Sequence, residues 1–483
     1  MTNHRSFRLT TLTVTLALVS AGTLACAPTM EGEDAISLAQ PQDDDAALKP
    51  AKDSGTLSSS SSTTTLVTTT TKKGKTTTTV SSSSSSSSSS AACVPLTACP
   101  APQDCGSVAD GCGGVVDCGT CAWPQQCGGD GTANVCGGGV STLSFQPAAR
   151  HVVGRSPRAV ATGDFNRDGN PDVVVANYEI DTVGVALGSG DGRFSPTVHY
   201  ATRRAPSAVA VLDVNGDGFS DVVAANQRAS SVTVFRGLGD GTLLPGTDVA
   251  VGVSPNALVV GDLNGDGRRD LVSINGEGSI TVLITLPEGG FATGVRYPVM
   301  PGPTSATLAD FNQDGKLDLA TANYQADTLS VLLGNGDGTL TLASHVNAGQ
   351  YPTAVASGDF RGDGTTSLVT THSDMGFNTL FRGNNDGTFT SAGRFTTGTA
   401  PIAVAVADFN GDWRMDAVVA NSYQSAAVAL AGQDGMLTTT LTLASGTYPC
   451  AVAVADFDRD SRPDFVVANM NSDDVSVFIN TSL

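Results

Sequence analysis

The chain of 483 residues carries 46 Asp and Glu against 26 Lys and Arg, a net charge of −20. That balance repels phosphate backbones, which argues against nucleic acid as a partner and turns attention to cations that so many carboxylates could hold. With only five His in the whole length, neither a His-rich zinc set nor a Ser-His-Asp arrangement stands out.

In chain order, Arg5 and Arg8 precede the apolar stretch Leu9–Ala25, which is too short and too interrupted by Thr for a membrane span; residues 1–25 read as a secretory signal peptide. Thr23-Leu24-Ala25-Cys26 is similar to a bacterial lipobox, with Thr23 where Leu is usual, so lipidation of Cys26 is expected, with ordinary signal-peptidase cleavage as the rival. A lipid there would be the chain's one attachment to a membrane, and the protein is expected to be secreted or held in the bacterial cell envelope. Residues 26–92 form a linker in which Ser58–Ser90 is almost pure Ser and Thr with Lys72, Lys73 and Lys75, a composition that cannot bury a core and stays disordered as a stalk. Residues 93–137 hold Cys93, Cys99, Cys105, Cys112, Cys118, Cys121, Cys127 and Cys136, which behind a signal peptide indicate a disulfide-rich module whose pairing the sequence leaves open. Zinc or redox chemistry at Cys118-x-x-Cys121 is the less favoured reading, and Cys450 remains as a buried thiol.

From residue 143 to the end the chain repeats itself. A nine-residue acidic loop begins at Asp164, Asp213, Asp262, Asp310, Asp359, Asp408 and Asp456, at steps of 48 or 49 residues. A fixed period of that length means one supersecondary unit repeated. Its apolar residues recur with strand periodicity: Ala159–Phe165, then Asp172–Ala176 after the loop, Thr182–Leu187, and a restart at Phe194 beyond the turn Asp191-Gly192. Four strands per unit follow, with strands three and four joined by an Asp-Gly hairpin. Pro157, Pro206, Pro255, Pro303, Pro352, Pro401 and Pro449 lie seven residues before the loops and are expected in the connections between units, because Pro cannot donate to a ladder. Such units stack radially into an all-β, seven-bladed propeller. Phe145 opens a fourth strand before any complete repeat, while the last repeat stops after its third strand, so the two chain ends are expected to share one blade and close the ring.

The acidic loop offers side-chain oxygens at positions one, three, five and nine with Gly at six, a set that suits calcium, which takes six to eight oxygens on a flexible path. Four copies are complete: Asp164, Asn166, Asp168 and Asp172; Asp213, Asn215, Asp217 and Asp221; Asp262, Asn264, Asp266 and Asp270; Asp310, Asn312, Asp314 and Asp318. Asp408, Asn410, Asp412 and Asp416 carry Trp413 in place of Gly, and Asp456, Asp458, Asp460 and Asp464 carry Ser461, so both are expected to bind more weakly. The fifth copy keeps only Asp359 and Asp363, with Arg361 and Ser367 at positions three and nine, and is expected to be empty. Asp, Asn and Gly also make good turns, but a turn alone does not require four oxygens in fixed phase. The loops hold 21 of the chain's 46 carboxylates, which would repel one another without a cation.

The motif Asp-x-Asn-x-Asp-Gly-x-x-Asp with the following Val-Val-Ala-Asn resembles the FG-GAP or VCBS-type repeats of integrin α-subunit propellers and many bacterial surface proteins, over residues 143–483. The resemblance implies a seven-bladed propeller with calcium between strands one and two and a partner on the opposite face. There the residues that vary between copies include Tyr178, Arg203, Arg204, Arg228, Tyr324, Tyr351, Tyr423 and Tyr448, the types that anchor ligands on a rim. Asn177, Asn226, Asn275, Asn323, Asn421 and Asn469, with His372 in the fifth copy, repeat beside them and read as backbone caps. Arg361-Gly362-Asp363 spells an adhesion tripeptide but falls in phase with the acidic loops, and the column Arg150, His199, Arg296, His345 and Arg394 falls on the outermost strand, where charge guards an edge. The expected function is a calcium-stabilised, monomeric binding or adhesion module for extracellular carbohydrate or protein rather than an enzyme. A polysaccharide lyase or hydrolase on a propeller scaffold, and a ligand-free structural spacer, are the alternatives.

Overall fold

The computed structural model describes residues 142–482 together with four short strands, Ser107–Ala109, Val115–Asp117, Gln126–Cys127 and Cys136–Gly137. The expectations on the signal peptide, Cys26, the linker and the disulfides fall outside the described residues, save that the backbone sets Cys127 opposite Cys136 in a strand pair.

Residues 142–482 form seven four-stranded antiparallel sheets in sequential strand order, the blades of a propeller. Blade one consists of Pro157–Gly163, Asp172–Asn177, Thr182–Ala186 and Val198–Ala201, and the same unit recurs up to blade six, which starts at Pro401. Blade seven takes Pro449–Ala455, Asp464–Asn469 and Asp474–Phe478 from the C-terminal end and its outer strand, Ala149–Val152, from the N-terminal side of the ring. Arg150 pairs with Ser476 in that ladder, and Phe145 bridges Asn480, so the ring closes as the sequence implies. Alternation explains where the core lies. The second strands are buried on both faces, Asp172–Asn177 along its whole length, because each blade is covered by a neighbour on either side. Outer strands alternate exposed and half-buried, as at Val198–Ala201. The apolar clusters sit between adjacent blades: Ala159, Val174 and Val183 of blade one meet Val209, Val222 and Phe235 of blade two.

The proline expectation needs correction. Each Pro opens the first strand and lies opposite the last residue of the second, Pro157 opposite Asn177, with a bulge immediately after it. The missing donor is tolerated because it sits at the strand's first residue. The residue before each Pro is left-handed in all seven blades, Ser156, Ala205, Ser254, Gly302, Tyr351, Ala400 and Tyr448, which turns the chain sharply into the strand. In five of the seven blades the residue after the Pro ties neighbouring blades together around the central shaft. Ser207 Oγ donates to the Pro255 carbonyl at 2.6 Å, Asn256 Nδ2 to Pro303 at 2.9 Å, Thr353 Oγ1 to Pro401 at 3.3 Å, and the Cys450 thiol to Pro157 at 3.4 Å. Cys450 is thus a buried thiol that spans the ring closure.

Candidate functional site

The acidic loops connect first to second strands and share one face with the Asp-Gly turns. Their backbone is the same in every copy. The residue at position six is left-handed whether it is Gly169, Gly218, Gly267, Gly315, Gly364, Trp413 or Ser461, with φ between 67° and 85°. Its amide donates to the first Asp throughout, Gly267 to Asp262 at 2.8 Å, Trp413 to Asp408 at 2.8 Å and Ser461 to Asp456 at 2.8 Å. Trp413 and Ser461 therefore do not distort their loops. They hold a conformation that disfavours a Cβ by about 1–2 kcal/mol.

The carboxylates fall into two chemical kinds. At position nine, Asp172 is fully buried and accepts from Phe165 N at 2.7 Å and Gly188 N at 2.7 Å, tying the acidic loop to the turn after strand three. Asp221, Asp270, Asp318, Asp416 and Asp464 do the same, and burial pushes all of them up, Asp172 to about 6 and Asp464 to about 7. At position five, by contrast, the backbone amide of Asn170 holds Asp168 below the usual carboxylate range, and that of Arg268 does so for Asp266. Residue seven adds a cation beside position five in four copies: Arg268 to Asp266 at 2.5 Å, Lys316 to Asp314 at 3.6 Å, and Arg414 and Arg462 paired with Asp412 and Asp460.

Two observations show that a divalent cation fits the first and seventh of these loops. Asp164 Oδ1 and Asp458 Oδ1 are buried without a hydrogen-bond partner. One ligand oxygen each from Asp456, Asp458 and Asp464 lies within 4.8 Å of the others, a spacing that one ion would bridge. The amides on Asp464 leave lone pairs free, since each carboxylate oxygen has two. In the fifth loop Arg361 Nε lies 3.2 Å from Asp363 Oδ2, so the Arg-Gly-Asp tripeptide pairs within itself, and Ser367 offers Gly383 N only a 3.4 Å contact.

Position two was missed in the sequence, although its signal is plain: it is apolar in all seven copies. Phe165, Val214, Leu263, Phe311, Phe360, Phe409 and Phe457 are buried anchors under the loops. Phe311 packs edge-on against Phe389 of the next blade at 5.2 Å, and Phe457 against Phe194 at 5.7 Å. The Phe311 carbonyl accepts from Gly387 N of that same next blade at 3.2 Å. Each loop is therefore braced by its own blade and the following one.

On the opposite face, the repeated Asn is buried rather than displayed. Asn323 Nδ2 donates to Ser330 Oγ at 2.9 Å and its Oδ1 accepts from Thr321 at 2.9 Å, locking strand two to strand three. His372 replaces it in blade five, its Nδ1 donating to the Gln350 carbonyl at 2.8 Å and its Nε2 facing Thr370 and Thr379, and burial holds its pKa below the ordinary value. The candidate ligand residues do line this face. Tyr423 is 72% exposed and Tyr351 39%; the Tyr324 and Tyr351 rings lie 5.2 Å apart, and Tyr448 is half-buried. Tyr178 donates to Gln227 Oε1 at 3.1 Å. Arg204 and Arg228 are exposed, and Arg203 is paired with Asp248. The column Arg150, His199, Arg296, His345 and Arg394 lies on outer strands.

Residues 164–224, 213–273, 262–321, 310–370, 367–419 and 408–467 each match the model of the FG-GAP-like repeat. No curated protein sequence matches the chain. Among solved structures it is similar to one described as BBS1N in complex with ARL6DN, soaked with lead, at 13% identity over 69% of this chain and 96% of that one, with a TM-score of 0.51. It is also similar to the same complex soaked with mercury, at 12% identity over the same shares and a TM-score of 0.50. At such identities the likeness concerns the fold alone.

Proposed function

From the premise that the chain belongs to the FG-GAP-like repeat family, whose propellers serve binding and scaffolding, we propose a calcium-stabilised module that recognises extracellular carbohydrate or protein on the face opposite its acidic loops. The observation that carries the reading is a division of labour between the faces. One concentrates carboxylates, two of them with orphaned buried oxygens, on loops braced by neighbouring blades. The other sets exposed Tyr and Arg around a rim in which no two blades are alike. Repetition on the first face suits a structural ion, and variety on the second suits recognition. When bound, the ion would neutralise the crowded carboxylates and hold strand one to strand two. The ligands would come from positions one, three, five and nine of the six acid-rich loops, and not from Asp359 and Asp363.

Two measurements test this. A chelator is expected to lower the melting temperature, with Asp266→Ala removing calcium from its loop while Asp363→Ala leaves calcium content unchanged; equal ion loss in both variants would refute the ranking. Screening the purified chain against glycans and envelope proteins while following polysaccharide cleavage is expected to give binding without turnover. Turnover would replace the proposal with a polysaccharide-degrading enzyme, and silence in both assays with a spacer.

A further inference from the structure

The sevenfold pattern around the shaft is broken at one cation. The residue after each opening Pro is Ser207, Asn256, Thr304, Thr353, Ile402 or Cys450 in six blades, all of them buried, and Arg158 in blade one. Arg158 makes no bond to the next blade. Its guanidinium lies over the Tyr178 ring at 3.5 Å, with Nε and Nη1 buried and without any acceptor. Arg228 approaches the same ring at 5.4 Å. Of the acids that follow Tyr178 in the chain, Glu179 lies 3.7 Å from Arg155 and Asp181 accepts from Ala205 N at 2.7 Å. Among the described residues no carboxylate pairs with Arg158 or Arg228. The ring they share is fixed in place by a relay, Tyr178 to Gln227 and Gln227 to Asn256 at 2.8 Å.

Two guanidinium groups share one ring without a carboxylate partner, and an anion would satisfy the donors they leave free. We infer that Arg158, Arg228 and Tyr178 form a carboxylate-binding subsite at the shaft mouth, for a uronic-acid unit of an acidic saccharide. This rests on the reading of this face as the ligand surface and gives that ligand a charge. A saccharide fits better than an acidic peptide because the same face also exposes Tyr351 and Tyr423, whose flat rings suit pyranose faces. The guanidinium fork reads a carboxylate through two parallel hydrogen bonds, and its position over Tyr178 fixes the plane in which they are made.

The test uses the full-length chain with calcium present and follows binding of oligogalacturonate, neutral oligogalactose and poly-glutamate by calorimetry. Oligogalacturonate is expected to bind in preference to both others. Arg158→Ser, which installs the residue of blade two, is expected to weaken it at least about tenfold and to flatten its salt dependence. Arg158→Lys keeps the charge but not the fork, and several-fold weaker binding is expected even if the Ser variant folds poorly. Wild-type affinity in both variants overturns the subsite, while loss of the same binding in Tyr423→Ala would leave the reading of the face standing. Preference for poly-glutamate overturns the saccharide assignment, and failure of all three probes to bind overturns the inference.

Discussion

Blades four and five are neighbours built on the same backbone from different chemistry. Blade four has the full acidic set, with Asp318 bridging Phe311 N at 2.8 Å and Gly334 N at 2.8 Å, and Asn323 at the end of strand two. Blade five has Arg361, Ser367 and His372 at the corresponding places, yet Gly364 N still reaches Asp359 at 2.7 Å and the loop turns identically. The difference teaches which parts of the repeat specify its shape: a buried apolar residue at position two, a left-handed residue at six and an acceptor on the first Asp. The oxygens at positions three and nine are not needed for the turn itself, since blade five makes it with Arg361 and Ser367 there.

The largest expected effect comes from removing the bridge itself. Asp318→Ala leaves two buried amides unpaired and is expected to cost about 3 kcal/mol in urea denaturation with chelator present, against under about 1 kcal/mol for Ser367→Ala. Similar losses in the two blades would erase the contrast. Next in size, replacing Arg361 by Asn and Ser367 by Asp together is expected to convert blade five to the pattern of blade four and raise the calcium content by one ion per chain; unchanged content would show that the loop's acids do not decide occupancy.

Acidity separates the blades further. Burial raises Asp464 to about 7 and Asp172 to about 6, so the metal-free folded chain keeps protons that the unfolded chain has released. Its stability is therefore expected to fall as pH rises from about 4 to about 7, and added calcium to reverse the trend. Blade five lacks this acid and runs the other way. Burial holds the pKa of His372 below its ordinary value, with the charge of Arg394 adding to the effect, so the unfolded chain protonates first and stability is lost as pH falls below 6.5. The smallest predicted effect follows: His372→Asn, the residue of the other six blades, removes that acid-side loss, seen as a smaller drop in melting temperature between pH 7 and pH 5 relative to wild type. An unaltered drop would place the sensitivity elsewhere.

The blade unit, the hairpins and the shared seventh blade were legible because each rests on a periodic signal: alternation, Asp-Gly turns, and a Phe or Leu at constant phase from Phe145 to Leu437. The prolines stand inside the ladders, and not between blades, because a left-handed residue such as Tyr351 delivers Pro352 to the strand's first position, where no donor is required. The double duty of the ninth Asp was hidden because its second amide, such as Gly188 N for Asp172, lies beyond the next strand. Arg158 was invisible for a different reason. Its meaning lies in the six residues it fails to resemble and in Tyr178, which strand pairing alone brings beneath it.

The mixed parentage of the seventh blade bears on how the molecule is made. Ala149–Val152 leaves the ribosome more than 300 residues before its partner Asp474–Phe478, so the first strand of the ring waits unpaired through the synthesis of every other blade. Contacts that distant are slow to form. The waiting edge, with Val152 at 73% exposure in the finished ring, is where a newly made chain is most open to pairing with a stranger.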